Sequence, residues 1–259
     1  MDNQPAIITS ALTKRYGNLT AVEDLDLVVQ PGELFGFLGP NGAGKTTTMQ
    51  MLACLLRPTA GTAIVAGHDV AKNPLAVKKS IGYLAERPFL YDQLTGYEFL
   101  RFCGGLHKMA DREVDSQSEL LLEMVELAER GNELIKSYSH GMRQKIAMCA
   151  ALLHQPQLLL LDEPTNGLDP FSASQVKKLL RRRANEGTTV FFSTHILEVA
   201  ERLCDRLAIL YEGHLIAIGT LNELREKARL PGSALEDIFL KLTTGDKDNH
   251  LVTSAKGIR

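Results

Sequence analysis

The stretch Gly39-Pro40-Asn41-Gly42-Ala43-Gly44-Lys45-Thr46 constrains this chain more than any other part of it. Its pattern, G-x-x-x-x-G-K-[ST], is that of a phosphate-binding loop. The context counts as much as the pattern. The apolar run Leu34–Leu38 before it reads as a buried strand, and Thr47–Leu56 after it reads as a helix. Glycines let successive backbone N–H groups curl around phosphate oxygens, and a helix start brings its positive dipole end to the same spot. Lys45 is placed to reach the β- and γ-phosphates, and the Thr46 hydroxyl to ligate Mg²⁺. A chain built this way is expected to bind a nucleoside triphosphate.

Composition narrows what surrounds that loop. With 259 residues, 44% of them hydrophobic, the chain can bury a core as one large domain or two lobes of one. A net charge of −2 gives no whole-chain electrostatic footprint for nucleic acid. Cys54, Cys103, Cys149 and Cys204 are widely spaced without a C-x-x-C pair, and read as free, mostly buried thiols in a reducing compartment. There is no run of 18 apolar residues to span a membrane. Met1–Pro5 is polar and has no signal-peptide h-region, so a cytosolic chain is expected unless something tethers it. The polar tail Thr243–Arg259 reads as loosely ordered or as a contact arm.

The hydrophobic period changes twice along the chain. The first third reads as β-rich: Ala6–Thr13, Asp24–Val29 and Thr62–Ala66 are short apolar or alternating runs, with Gly17-Asn18 between the first two and Pro31-Gly32 turning into the strand before the loop. From about Thr95 to His154 the pattern is helical. Gln117–Arg130 sets Leu120, Leu121, Met124, Leu127 and Ala128 on one face, and Gly104-Gly105 and Gly131-Asn132 read as helix breaks. Strand and helix then alternate again: Leu158–Leu161, Ser172–Asn185 and Thr189–Phe192. A hairpin follows, with Leu207–Tyr211 and Leu215–Ile218 around Glu212-Gly213-His214. This is an α/β chain with an N-terminal antiparallel β region and an inserted α-helical subdomain. The expected divisions are a core lobe over about 1–86 and 155–220, a helical subdomain over about 87–154, and a C-terminal helix and tail over about 221–259.

A second motif supplies carboxylates. Leu158–Leu161 runs straight into Asp162-Glu163-Pro164. Asp162, at the end of a buried strand beside the loop, is placed to hold Mg²⁺. Neighbouring residues at a strand end point different ways. Glu163 is therefore free to face an attacking water as general base. Ser139 precedes a helical stretch from His140 to about Leu153 and is placed to cap it. The same helix start can offer N–H groups to an anion.

Together these motifs resemble the ATPase subunit of ATP-binding cassette transporters, over nearly the whole chain from Tyr16 to about Gly219. The resemblance rests on several motifs in the family's order. Gly39–Thr46 matches Walker A, and Asp162 with Glu163 matches Walker B and the catalytic glutamate. Tyr138-Ser139-His140-Gly141-Met142-Arg143-Gln144 matches the signature, Gly167-Leu168-Asp169 the D-loop, and Ser193-Thr194-His195 the switch histidine. Tyr16 matches the aromatic that stacks on adenine. The resemblance implies a P-loop NTPase (RecA-like) core that binds ATP and Mg²⁺. The implied catalytic residues are Glu163, His195 and Lys45. Nucleotide contacts fall on Tyr16, Gly39, Pro40, Asn41, Gly42, Ala43, Gly44, Lys45, Thr46, Thr47, Ser139, Gly141 and Asp169, and metal contacts on Thr46, Asp162 and Glu86. It further implies a dimer of ATPase subunits, a separate transmembrane permease, no nucleic-acid partner, and a peripheral place on the cytoplasmic face of the cell membrane. The signature, Glu86 and the stretch Leu235–Leu240 are most like the exporter branch with ABC-2 type permeases.

Two positions depart from the family's pattern. Glu86 stands where a glutamine is usual, and a carboxylate there can face a cation or turn away and serve coupling alone. His140 and Met142 replace a glycine and a glutamine, so His140 is either an added contact or a solvated side chain. The segment Arg87–Tyr97, with Pro88, Phe89, Leu90, Tyr91 and Leu94, is a candidate for docking the permease; the alternative is packing against the chain's own helices. Two other classes are weighed against a transporter. One is a soluble ATPase of the same family acting on ribosomes, DNA repair or cluster assembly. The other is a P-loop GTPase or kinase, for which no N-K-x-D motif is present.

Overall fold

The computed structural model describes residues 4–254, with side chains placed for 4–244. In chain order the elements are β1 (Ile7–Tyr16), β2 (Leu19–Val29), β3 (Leu34–Leu38), α1 (Lys45–Leu52), β4 (Ala60–Val65), β5 (His68–Asp69), α2 (Pro74–Ser80), β6 (Ile81–Leu84), α3 (Gly96–Leu106), α4 (Asp111–Met124), α5 (His140–Leu152), β7 (Leu158–Asp162), α6 (Pro170–Asn185), β8 (Thr189–Thr194), α7 (Leu197–Leu203), β9 (Arg206–Tyr211), β10 (His214–Gly219), α8 (Leu221–Ala228) and α9 (Leu235–Ser254).

The strands form two sheets. One is antiparallel, ordered β2-β1-β4-β5; the other is ordered β10-β9-β3-β8-β7-β6. In the second sheet β6, β7, β8, β3 and β9 run parallel, and β10 closes one edge antiparallel through the hairpin expected at Glu212-Gly213-His214. The central strands β3, β7 and β8 are buried along their whole length. This is why their sequences are unbroken apolar runs rather than alternations. Phe191 of β8 stacks on Phe35 of β3 at 5.6 Å and meets Phe37 at 5.3 Å, fixing the pairing of those two strands.

The core has two main parts. Ile7, Leu25, Phe35, Met49, Met51 and Phe191 belong to a cluster shared by the antiparallel sheet, the parallel sheet and α1. On the other face of the parallel sheet, Leu100, Leu121, Ile146, Leu161, Leu180 and Phe192 belong to a cluster shared with α3, α4, α5 and α6. A smaller cluster seats α8 and α9 on β9 and β10 through Leu224, Leu235 and Ile238.

Several expected boundaries move. Gly104-Gly105 is not a break: both glycines lie inside α3. Gly104 is there because α4 comes too close for a side chain, and a Cβ would sit 2.4 Å from Val114 Cγ2. The helix expected over Gln117–Arg130 starts earlier, at Asp111, and ends at Met124; only Ala128–Arg130 of the remainder is helical, as a 3₁₀ turn. The helix after the phosphate-binding loop starts at Lys45 and ends at Leu52. The tail expected from Thr243 is helical through Ser254 as the end of α9, and its last five residues, like Met1 to Asn3, lie outside the described residues. Among the described residues no helix is long and apolar enough to cross a membrane. All four cysteines are free, and burial pushes the Cys149 thiol up to about 12 and the Cys103 thiol to about 11.

Candidate functional site

Three parallel strands end at one edge of the second sheet, and the candidate residues hang from those ends. The register sets Leu38 opposite Thr194 and Asp162 opposite Ser193, so the loop after β3 lies beside the ends of β7 and β8. In an open parallel sheet this carboxyl edge is where a ligand crevice forms.

The loop after β3 is as tight as its glycines suggest. Gly44 holds φ +103 just before α1, and a Cβ there would lie 2.4 Å from the Ala21 carbonyl. A Cβ on Gly39 would lie 2.4 Å from the Leu210 carbonyl. The loop therefore hugs the hairpin edge and leaves its other side to a ligand. Helix α1 has no side-chain cap. Its first-turn N–H groups are consequently without a side-chain acceptor, as an anion site requires. Pro40, Asn41, Gly42 and Ala43 form the loop itself; Thr46 is exposed and Thr47 half-buried on the first turn of α1. The ammonium of Lys45 donates to the carbonyls of Gly39 at 2.8 Å and Pro40 at 3.2 Å.

Asp162 and Glu163 take the two different surroundings that adjacent positions allow. Asp162 is completely buried. Its Oδ1 accepts a hydrogen bond from Ser193 Oγ, while Oδ2 is buried with no partner. The Tyr83 hydroxyl is pushed up to about 12, first by burial and then by the charge of Asp162. Glu163 bends out of the strand with φ +50, in a region non-glycine residues seldom occupy. The bend is held by Ser193, whose carbonyl and hydroxyl accept from Glu163 N–H at 3.2 and 3.1 Å. It aims the carboxylate at the loop. Glu163 Oε1 lies 3.4 Å from Lys45 Nζ and 3.0 Å from His195 Nδ1 without completing a hydrogen bond to either. The backbone N–H of His195 donates to Oε2 at 3.4 Å. Lys45, Glu163 and His195, 150 residues apart from first to last, thus meet around one carboxylate.

Ser193, which no motif marks as a site residue, bonds the Asp162 carboxylate and the Glu163 backbone. Its signal, a hydroxyl two positions before His195, acquires meaning only from the β7–β8 register.

The remaining candidates lie elsewhere. Ser139 caps α5, accepting from Met142 N–H at 3.3 Å, and is exposed. Gly141 lies beside Leu168, with room for a Cβ at 3.6 Å. His140 is exposed. The edge of its ring lies against Gly167, where a Cβ would come 2.7 Å from Nε2, and Gly167 itself holds φ +71. Asp169 caps α6, accepting from Phe171 and Ser172 N–H at 3.0 Å each, and its bonds to Ser172 hold its carboxyl below the usual range. Tyr16 is half exposed at the end of β1 with Lys14 Nζ 5.1 Å over its ring. Glu86 is exposed just past β6. Among the described residues no three His, Cys, Asp or Glu gather as a metal-binding group.

Segment 87–97 is split between the two readings given to it. Leu90 packs inward, whereas Phe89 is 84% exposed and Tyr91 half exposed. Phe89 and Pro88 line a groove of about 430 Å³, together with Leu55, Phe99, Leu106 and Ala150, that runs between the parallel sheet and helices α3 and α5.

Comparison with known proteins places the chain in one family. The family described as ABC transporter matches residues 22–166. The chain is 42% identical to the daunorubicin resistance ATP-binding protein DrrA3 of Streptomyces coeruleorubidus, over 90% of this chain and 73% of that protein. It is 39% identical to the bacitracin transport ATP-binding protein BcrA of Enterococcus faecalis, over 86% and 72%. Among solved structures, an ATP binding subunit of an ABC transporter superposes with TM-score 0.87 at 32% identity, covering 92% of this chain and 99% of that one. A dimeric ATP-binding cassette in a post-hydrolysis state with ADP and Pi superposes with TM-score 0.77 at 25% identity, covering 83% and 98%. The chain belongs to the ABC transporter family as an ATP-binding subunit, with the P-loop NTPase fold. It is an ATPase, of a family whose ATPases dimerise and work with a membrane permease.

Proposed function

We propose that two copies of this chain close head to tail over two ATP molecules, driving an ABC-2 type permease that exports its cargo from the cytoplasmic face of the membrane. The meeting of Lys45, Glu163 and His195 around one carboxylate oxygen carries the catalytic part of this reading. The relatives named for daunorubicin resistance and bacitracin transport support export.

In this reading Lys45 holds the β- and γ-phosphates within the loop Gly39–Thr47, and Tyr16 stacks on the adenine. Glu163, aimed into the crevice by Ser193, takes the proton of the attacking water. His195 reports the γ-phosphate and steadies Glu163 from the other side. Ser139 and Gly141, at the start of α5, contact the γ-phosphate bound by the partner copy, and Asp169 lines the same interface. ATP then touches both copies, whereas ADP lacks the bridging group; that difference in affinity is what shifts the open–closed equilibrium.

A divalent cation fits the residues present. Asp162 Oδ2 is a buried oxygen without a partner, next to the exposed Thr46 hydroxyl's helix, and hard oxygen donors suit Mg²⁺. Asp162 and Thr46 would hold it, and Glu86 would approach from the segment after β6. Bound there, it would neutralise charge on the phosphates. The lobes expected at about 1–86 with 155–220 and at about 87–154 would move against each other on closure. The groove under Phe89 would receive the permease.

The test is Glu163→Gln. ATP binding is expected to persist, hydrolysis to slow by about 10²-fold or more, and an ATP-dependent dimer to accumulate. Parent-rate hydrolysis by the variant would contradict the assignment of the base. Co-purification with a ribosome, and with no membrane protein, would instead favour a soluble machine.

A further inference from the structure

We propose that Arg143 is a positioning residue: its ion pair with Asp92 fastens the start of α5, and so Ser139 and Gly141, to the segment against which the membrane partner docks. The inference rests on the roles proposed above for Ser139 and for the groove under Phe89, and names the contact that joins them.

Arg143 lies one turn into α5, and its own N–H donates to the Ser139 carbonyl at 2.9 Å, so its backbone and that of Ser139 move together. Its side chain reaches back along the chain. Nη1 donates to Asp92 Oδ1 at 2.7 Å and to the Ile135 carbonyl at 3.2 Å. Asp92 directly follows Tyr91 and lies three residues after Phe89, the two exposed aromatics of the docking segment. Those rings pack edge to face at 5.8 Å, so the segment presents them as one surface.

The backbone around the ion pair is stitched in the same direction. Lys136 N–H donates to the Asp92 carbonyl at 3.1 Å, Ile135 N–H to the Leu94 carbonyl at 2.8 Å, and Thr95 pairs with Leu134 as an antiparallel bridge. Residues 134–138 run directly into Ser139. This connecting segment, a 3₁₀ turn over Ile135–Ser137, is thus bonded to the docking segment through its backbone, and Arg143 bridges the two through its side chain. A force that displaces Phe89 and Tyr91 is carried to Ser139 by both routes.

The chemistry suits positioning better than folding. The Arg143 and Asp92 side chains are 30% and 54% exposed. A pair so exposed adds little to stability, but the planar guanidinium holds a carboxylate and a carbonyl at fixed directions from one atom, which an ammonium would do less rigidly. Asp92 bonds Arg143 through its side-chain carboxylate and Lys136 through its backbone carbonyl. Replacing the carboxylate therefore breaks the clasp and leaves the stitching intact.

The experiment measures kcat and KM for ATP on the purified full-length chain. Asp92→Arg is expected to lower kcat by about tenfold through like-charge repulsion at a formerly bonded site, with KM within about twofold because the Lys45 crevice is untouched. Asp92→Asn, which keeps the size and one acceptor, is expected to lower kcat by about threefold. Asp92→Arg combined with Arg143→Glu restores the ion pair and should return kcat to within about threefold of the parent, the residual deficit being the lost bond to Ile135. Parent kcat in Asp92→Arg, or a double variant no faster than Asp92→Arg alone, would overturn the proposal. Ser139→Glu, run beside them, separates the two levels. If it abolishes turnover and the charge swap rescues nothing, Arg143 alone is misassigned; if it leaves kcat at the parent value, the role of Ser139 falls and the role of Arg143 with it.

Discussion

The two ends of the proposed ATP site differ sharply. The crevice at β3, β7 and β8 is buried and already assembled. Asp162 and Ser193 are fully enclosed, Lys45 and Glu163 nearly so, and each is oriented by at least one short contact. The start of α5 is the reverse. Ser139 is exposed, and its hydroxyl caps its own helix by accepting from Met142 N–H. Preorganised charges in a low-dielectric site cost no reorganisation when the substrate arrives. A helix start exposed to water gains its full value as an anion site only when something covers it. The contrast describes half a site prepared in advance and half a site waiting for a second surface.

The largest expected effects fall in the assembled half. Lys45→Ala should weaken ATP binding by about 10²-fold or more, since it removes the ammonium held at the phosphate-binding loop and leaves Glu163 without its neighbour; a titration with a fluorescent ATP analogue reads it. Unchanged affinity would mean that the loop's backbone does the work alone. Ser193→Ala should follow. It leaves buried carboxylate oxygens of Asp162 without a donor and should lower stability by about 2 kcal/mol, together with a drop in kcat as Glu163 loses one of its two anchors. A denaturant melt checks the first and steady-state turnover the second. If neither changes, the crevice is looser than its geometry implies.

How much of this contrast was legible in the sequence differs between the halves. The loop, the strand before it and the pair Asp162-Glu163 could be placed because the motif fixes spacing and an unbroken apolar run marks a buried parallel strand. The fold class followed from the alternation of strands and helices. What escaped was set by register and by close approach. Ser193 faces Asp162 only because β7 and β8 pair as they do. The left-handed backbone at Glu163 is bonded to Ser193 and has no composition cue. Gly104 looked like a break because a glycine demanded by helix packing and one demanded by a turn are the same letter. The Arg143–Asp92 contact spans 51 residues and carries no local signature at all. His140 against Gly167 was visible only as a departure from the usual glycine.

The smallest effect expected lies outside both halves and serves as a control on them. His107 and His154 stack at 3.7 Å on the wall of the groove, and His154 is bonded to the Ile81 carbonyl at 3.0 Å. Burial, and then the neighbouring His107, push His154 down to about 4. The unfolded chain, with a histidine near 6.5, takes up the proton first. Stability contributed by the neutral ring is therefore fully present above pH 6.5 and is lost as the pH falls toward 4. Melting temperature should decline between pH 7 and pH 5, and His154→Gln should flatten that decline without altering kcat at pH 7.5. An equally steep decline in the variant would place the acid sensitivity elsewhere.

The central claim is that the prepared half and the waiting half of each ATP site belong to different copies of the chain. Mixing two inactive variants tests it directly. Lys45→Ala spoils the crevice and Ser139→Glu spoils the start of α5. In a mixed dimer one site combines both defects, and the other combines the intact crevice of one copy with the intact Ser139 of its partner. A one-to-one mixture should therefore recover about a quarter of parental turnover, from random pairing and one working site per mixed dimer. A mixture that stays as inactive as its two components would show that both halves must come from the same chain, and would contradict the account.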